Sequence, residues 1–251
     1  MANQCPVVPA PVVTPPPGQT FAPLPFAHFT NQTLRQIVRT SVGGSRVRVA
    51  LSNAYGAAPL VIGAASIALR ERDSAIQSAS IRQLNFSGRS TIAIPPRAMA
   101  YSDSVDLNVA AMSDVAVDVY LPGTTDTASP ATMHNASFQT NYISETGNHV
   151  GKATVPTVAT MQSWFFLSRV EVLAPDATQV LVAFGDSITD GTRSTPDTNN
   201  RWPNLLVART LKEPSPRQIG VLNAGIAGNR VLSEGVFTAG INALARFDAD
   251  V

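Results

Sequence analysis

The chain has 251 residues, of which 44% are hydrophobic and 14% charged, with a formal net charge of +1. This length and apolar content are enough for a buried core in one large domain or two modest ones. The near-neutral balance leaves no basic stripe or acidic tail, which excludes nucleic acid as a partner and electrostatic attraction to a charged membrane.

Residues 1–20 contain Pro6, Pro9, Pro11, Pro15, Pro16 and Pro17. Each proline fixes its own backbone angle and lacks an amide donor, so this segment reads as an extended, mobile leader without helix or central strand. It shows no basic region followed by an apolar core, hence no visible signal peptide. No apolar run approaches the roughly 20 residues of a transmembrane helix. The single cysteine, Cys5, cannot form an internal disulfide and so does not report the redox compartment.

Residues 21–173 change to short alternations of apolar and polar residues separated by turn formers, the pattern of half-buried strands. In SRVRVALS, Val47, Val49 and Leu51 share one face and Arg46, Arg48 and Ala50 the other, with Gly43-Gly44 offering a hairpin turn just before. VAVDVYLP places Val115, Val117, Val119 and Leu121 together and is expected to stop at Pro122-Gly123. TIAIPP and SVDLNV are shorter strands. SWFFLSRVEVL reads as one final strand with Trp164, Phe166, Val170 and Val172 on one side, its aromatics assigned to core. Many short strands without intervening helices predict an antiparallel β-sandwich.

After the connector APDATQ, residues 178–251 follow a different grammar. QVLVAF is a continuous apolar run, as in a parallel strand covered on both faces. A helix should follow, capped by Asn200, with Pro203 in its first turn, Leu205, Leu206 and Leu211 on an apolar stripe, and an end near Pro214 and Pro216. QIGVLN is a second strand and INALARF a second helix. Strand, helix, strand, helix opens an α/β array, so the expected fold class is all-β followed by α/β.

The chemistry concentrates in GDSITDG, residues 185–191, directly behind the first of these strands. It is not the G-x-S-x-G elbow, since Thr189 stands where that pattern needs glycine. A serine at the carboxyl end of a parallel strand nevertheless stands where ligands of open α/β sheets bind. Gly185 suits the tight turn, and Asp186 is placed to bond neighbouring amides rather than to act as a base. A second glycine-rich turn, NAGIAGN at residues 223–229, follows the second strand, so two turns can face one pocket. The glycines do not form G-x-G-x-x-G after the first strand, which argues against a dinucleotide cofactor.

The pairing of VLVAFGDSITDG with VLNAGIAGN resembles the SGNH family of GDSL-type esterases and lipases. FTNQTLRQIVRTSVGGSRVRVALSNAYG is similar to the β-rich domain that precedes the catalytic domain in many secreted bacterial members. The resemblance implies a three-layer, flavodoxin-like α/β domain and an extracellular location. It implies Ser187 as the nucleophile that forms an acyl-enzyme. The amides of Ser187 and Gly228 become oxyanion donors. Neither metal nor cofactor is implied, and the substrates are small esters, acetylated carbohydrates or lipids.

Two blocks of the family pattern do not occur: the G-x-N-D block with a third oxyanion donor, and the D-x-x-H block with the base. The sequence ends at RFDADV, which reads as truncation within the catalytic domain, with association expected through an unfinished sheet edge. His28, His134 and His149 all lie in the strand-rich region without an aspartate three residues before them, and are read as structural or surface histidines. Asp190, Asp197, Asp248 and Asp250 are likewise set aside as orienting partners. Loss of the base predicts a nearly inactive chain. The rival reading is a non-catalytic, carbohydrate-binding β-sandwich that carries a vestigial hydrolase segment.

Overall fold

A computed structural model describes residues 5–6, 27–127, 130–213, 218–234 and 239–251. Most of the proline-rich leader, together with Pro214 and Pro216, lies outside the described residues. Cys5–Pro6 forms a two-residue edge strand that pairs antiparallel with Thr132–His134. An edge is where a residue without an amide donor is tolerated.

The protein is mostly β, with three α-helices among the described residues. Up to Val172 its sheets are antiparallel. The largest runs in the order Thr157–Met161, Asn141–Thr146, Thr30–Arg39, Asp114–Thr124, Ala64–Arg72 and Ala75–Ile76. A second is organised around Gly44–Ser52, flanked by Val105–Val109 and Leu167–Val172. Leu34, Val117 and Val119 from the first sheet and Val49 and Leu51 from the second are all fully buried in one shared core. The period-2 pattern therefore drives both sheets to face each other over apolar side chains.

The alternation expected in SRVRVALS holds for Val47, Val49 and Leu51, and Arg46 and Arg48 are exposed. Ala50 is buried as well. Its cross-strand partners are Tyr101 and Arg169, and the small methyl lies shielded between these larger neighbours.

Three boundaries differ from expectation. Gly43-Gly44 does not close a hairpin, because Thr30–Arg39 and Gly44–Ser52 belong to different sheets. The glycine is used for close packing instead: a Cβ on Gly44 would lie 2.4 Å from the Leu173 carbonyl oxygen. Pro122-Gly123 does not end its strand, which runs to Thr124. A register shift between Leu121 and Thr124 leaves the proline unpaired within the ladder. SWFFLSRVEVL is two strands, Trp164–Phe165 and Leu167–Val172, broken at Phe166 with φ +60°. The break lets Trp164–Phe165 pair with Thr132–His134 while the rest pairs with Gly44–Ser52, and all four residues 164–167 become buried.

Beyond the connector, Gln179–Gly185 and Ile219–Gly225 pair in parallel. Three helices follow these strands: α1 (Ser187–Asp190), α2 (Trp202–Thr210) and α3 (Ala243–Asp250). The first parallel strand is not covered on both faces as expected: Ala183 is buried, whereas Val180 is 63% exposed. Ala183 packs with Val207 and Val221 in a small core. The cap of α2 is Arg201 rather than Asn200, and the cap carries no side-chain hydrogen bond. The buried positions of α2 are Pro203 and Val207, while Leu205 and Leu211 are exposed. Leu206, the remaining residue of the expected stripe, is partly buried and packs against this small core. Among the described residues, no helix is long and apolar enough to cross a membrane.

Candidate active site

The two parallel strands end in register, Gly185 opposite Gly225. Both glycines are there for space. A Cβ on Gly185 would come within 2.4 Å of the Thr189 hydroxyl oxygen, and one on Gly225 within 2.1 Å of the Asp190 amide nitrogen. The short helix α1 therefore lies directly over the end of the second strand. Gly225→Ala must push backbone against backbone, so we expect it to destabilise the chain by about 1–3 kcal/mol. Thermal unfolding of this variant beside the parent checks that loss.

Ser187 is the first residue of α1 and is half-buried. Asp186 caps the helix, its carboxylate accepting a hydrogen bond from the Ile188 amide at 3.0 Å, which is the turn-fixing role its type predicts. The turn closes through the amides of Gly191 and Thr192, both donating to the Ser187 carbonyl. Gly191 takes φ +99°, a left-handed cap that glycine adopts without strain. On the second strand, the Ile226 amide donates to the Gly185 carbonyl at 3.1 Å, tying the two turns together. Gly228 follows at φ +78° and is exposed. Ser187 and Gly228 thus follow the carboxyl ends of adjacent parallel strands. Among the described residues, no hydrogen bond engages the Ser187 hydroxyl or the Gly228 amide.

Arg246 of α3 pins this end of the sheet from behind. Its buried guanidinium donates to the carbonyls of Gly185 and Ala224, each at 2.9 Å, and to the Asn229 side chain at 3.0 Å. It pairs with Asp250 at 2.6 Å and lies 4.1 Å from the centre of the Phe184 ring. One planar cation with five donors holds both strand ends and the second turn.

Sequence reasoning missed the partner of Asp190. The aspartate is buried on α1, and one carboxylate oxygen lies 2.9 Å from Nε2 of buried His134 in the β-rich region. The other oxygen accepts from the Ala227 amide at 3.2 Å, one residue before Gly228. A single carboxylate therefore links the Ser187 turn, the Gly228 turn and the β-rich region. The next loop is anchored to the same region. Asp197 accepts from the Gln139 side chain at 2.6 Å and from the amide and hydroxyl of Thr140 at 2.7 and 2.6 Å. Arg201 stacks over Phe138 and Trp164, at 5.3 and 5.4 Å from the ring centres. Burial pushes the Arg201 pKa down, against the opposing charge of Asp190.

No sequence signal pairs His134 with Asp190, because 56 residues separate them and only the folded sheets bring them together. The remaining candidates are dispersed. His28 is exposed at the start of the β-rich region, and His149 has its Nε2 3.4 Å from the Thr146 carbonyl. Asp248 is exposed, and Asp250 is committed to Arg246. What the site contains is a serine hydroxyl and two backbone turns at one sheet end, an arrangement suited to acyl transfer.

Comparison with known proteins matches this part of the chain. Residues 181–251 fit the model of a family described as GDSL-like Lipase/Acylhydrolase. No curated protein matches the chain. The matched segment contains Ser187, Asp190, Gly228 and Arg246, so the elements that frame the serine belong to the GDSL-like lipase/acylhydrolase family, within the SGNH hydrolases.

Proposed function

We propose that the protein is a serine ester hydrolase in which Ser187 attacks the carbonyl of a carboxylic ester and carries the acyl group before water releases it. The family match supports a hydrolase in general. The observation that carries the finer reading is the half-buried Ser187, whose hydroxyl is unengaged among the described residues, on the same sheet end as the exposed Gly228 turn. In this mechanism the hydroxyl oxygen forms the bond to the acyl carbon. The alcohol leaves with a proton, and the amides of Ser187 and Gly228 stabilise the oxyanion. The β-rich region serves as a sandwich domain and residues 178–251 as part of a three-layer α/β domain. Short acyl esters, acetylated sugars or lipids outside the cell are the substrates.

The reading assigns no base. The D-x-x-H block does not occur in this sequence, and His134 is engaged by Asp190. A triad without its base loses on the order of a millionfold in turnover. Acylation is therefore a sharper test than turnover. After incubation with p-nitrophenyl acetate, peptide mass spectrometry should find one acetyl group on the peptide containing Ser187. Ser187→Ala should carry none and should release p-nitrophenol at the rate of buffer. Equal release by both proteins, with no acetylated peptide, would overturn the proposal in favour of a non-catalytic carbohydrate-binding protein.

A further inference from the structure

Gly228 sits at φ +78°, and each of its neighbours is held by a buried charged side chain. On the amino side, the Ala227 amide donates to Asp190 at 3.2 Å. On the other, the Asn229 side-chain oxygen accepts from Nε of Arg246 at 3.0 Å, and the Asn229 amide closes the turn on the Ile226 carbonyl at 3.0 Å. The Asn229 side chain also donates to the carbonyls of Ala239 and Ile241 at 2.9 and 2.7 Å. A glycine amide that is free to swing serves poorly as an oxyanion donor, because such donors act by being oriented before charge develops.

Arg246 carries this hold across to the nucleophile. Its Nη2 donates to the carbonyl of Gly185, two residues before Ser187, and its Nη1 to the carbonyl of Ala224, each at 2.9 Å. The residue is 4% exposed. Burying a cation is costly, and the pairing of Gly185 with Gly225 already joins the two strand ends without it. What the guanidinium adds is a fixed separation between the Ser187 turn and the residue that follows Gly228, which lies beyond the strand pairing. A planar fork spans three acceptors in this way, whereas a single ammonium does not.

We propose that Arg246 is a positioning residue for acyl transfer: by holding Gly185 and Asn229 together, it fixes the Gly228 amide where the oxyanion forms beside Ser187. This role rests on the ester hydrolase reading, and the two fail on different measurements.

The Ser187→Cys chain provides the test, because a thiol is nucleophilic without an assigned base. Its sulfur takes the acetyl group from p-nitrophenyl acetate, breaking the ester C–O bond and releasing p-nitrophenol. It takes a carbamoylmethyl group from iodoacetamide, releasing iodide and a proton. Both reactions use the same thiolate at the same exposure, but only acetylation passes through an oxyanion. The ratio of the two rate constants, followed by peptide mass spectrometry and divided by the ratio for N-acetylcysteine, therefore reads stabilisation of that oxyanion. We expect a value at least about tenfold above the free thiol. Adding Arg246→Met should lower it by about tenfold or more, the cost of a displaced donor. Adding Arg246→Lys, which keeps a cation beside Asp250, should give an intermediate value and decides the matter if the methionine variant shows no cooperative thermal unfolding. A ratio no higher than that of the free thiol in the Ser187→Cys chain would overturn the hydrolase reading and this role with it. A folded Arg246 variant that keeps the full ratio would overturn the positioning role alone.

Discussion

Asp190→Ala should lower the stability of the chain by about 1–3 kcal/mol, the loss typical of removing a buried hydrogen-bond acceptor from its donors. The carboxylate is 2% exposed and meets the His134 ring nitrogen at 2.9 Å and the Ala227 amide at 3.2 Å. Alanine removes the carboxylate that both groups meet. It also removes the nearby negative charge that favours the buried, cationic Arg201. Urea unfolding followed by tryptophan fluorescence reports on the right place, because Trp164 stacks 5.5 Å from His134. Asp190→Asn keeps an acceptor for one of the two donors and should cost about half as much. A loss below about 1 kcal/mol for the alanine variant would mean that this link does not hold the Ser187 turn.

A larger loss is expected in the β-rich region. The Arg35 side chain is wholly buried and forms a bidentate pair with Asp118, Nε to Oδ1 and Nη2 to Oδ2, both at 2.7 Å. The guanidinium also donates to the carbonyls of Ser74, Lys152 and Ala153, so it ties two loops to the centre of the largest sheet. Asp118→Ala strands that cation in the interior and should cost about 3–5 kcal/mol. The double variant Arg35→Met with Asp118→Leu should be closer to the parent than Asp118→Ala is, because no uncompensated charge remains. Denaturant midpoints of the three proteins decide the matter. If the double variant is the least stable of them, the carbonyl contacts of Arg35, and not its charge, dominate.

The places where sequence reading succeeded have a common cause. Val115, Val117, Val119 and Leu121 are buried as their period-2 spacing requires, because strand pleating alone sends alternate side chains to one face. QVLVAF and QIGVLN became parallel partners, and GDSITDG formed the capped turn that its aspartate and glycines specify. Such features depend on residues a few positions apart. The strand break at Phe166 was not legible, since the left-handed backbone there follows from two different sheets claiming the halves of one apolar run. The buried face of α2 was misread for a similar reason: Leu205, Leu206 and Val207 compete along the helix, and the sheet underneath selects Val207.

By itself the sequence determined the strand periods, the change from antiparallel to parallel grammar near residue 178, and the serine and glycine turns that mark the GDSL-like family segment. Tertiary structure alone decided that His134 meets Asp190 and that Arg246 clamps both strand ends. The physical reason is range. Backbone preference and side-chain period act over a few residues, whereas a buried charge finds its partner only after sheets distant in the chain have packed and excluded the water that would otherwise satisfy it.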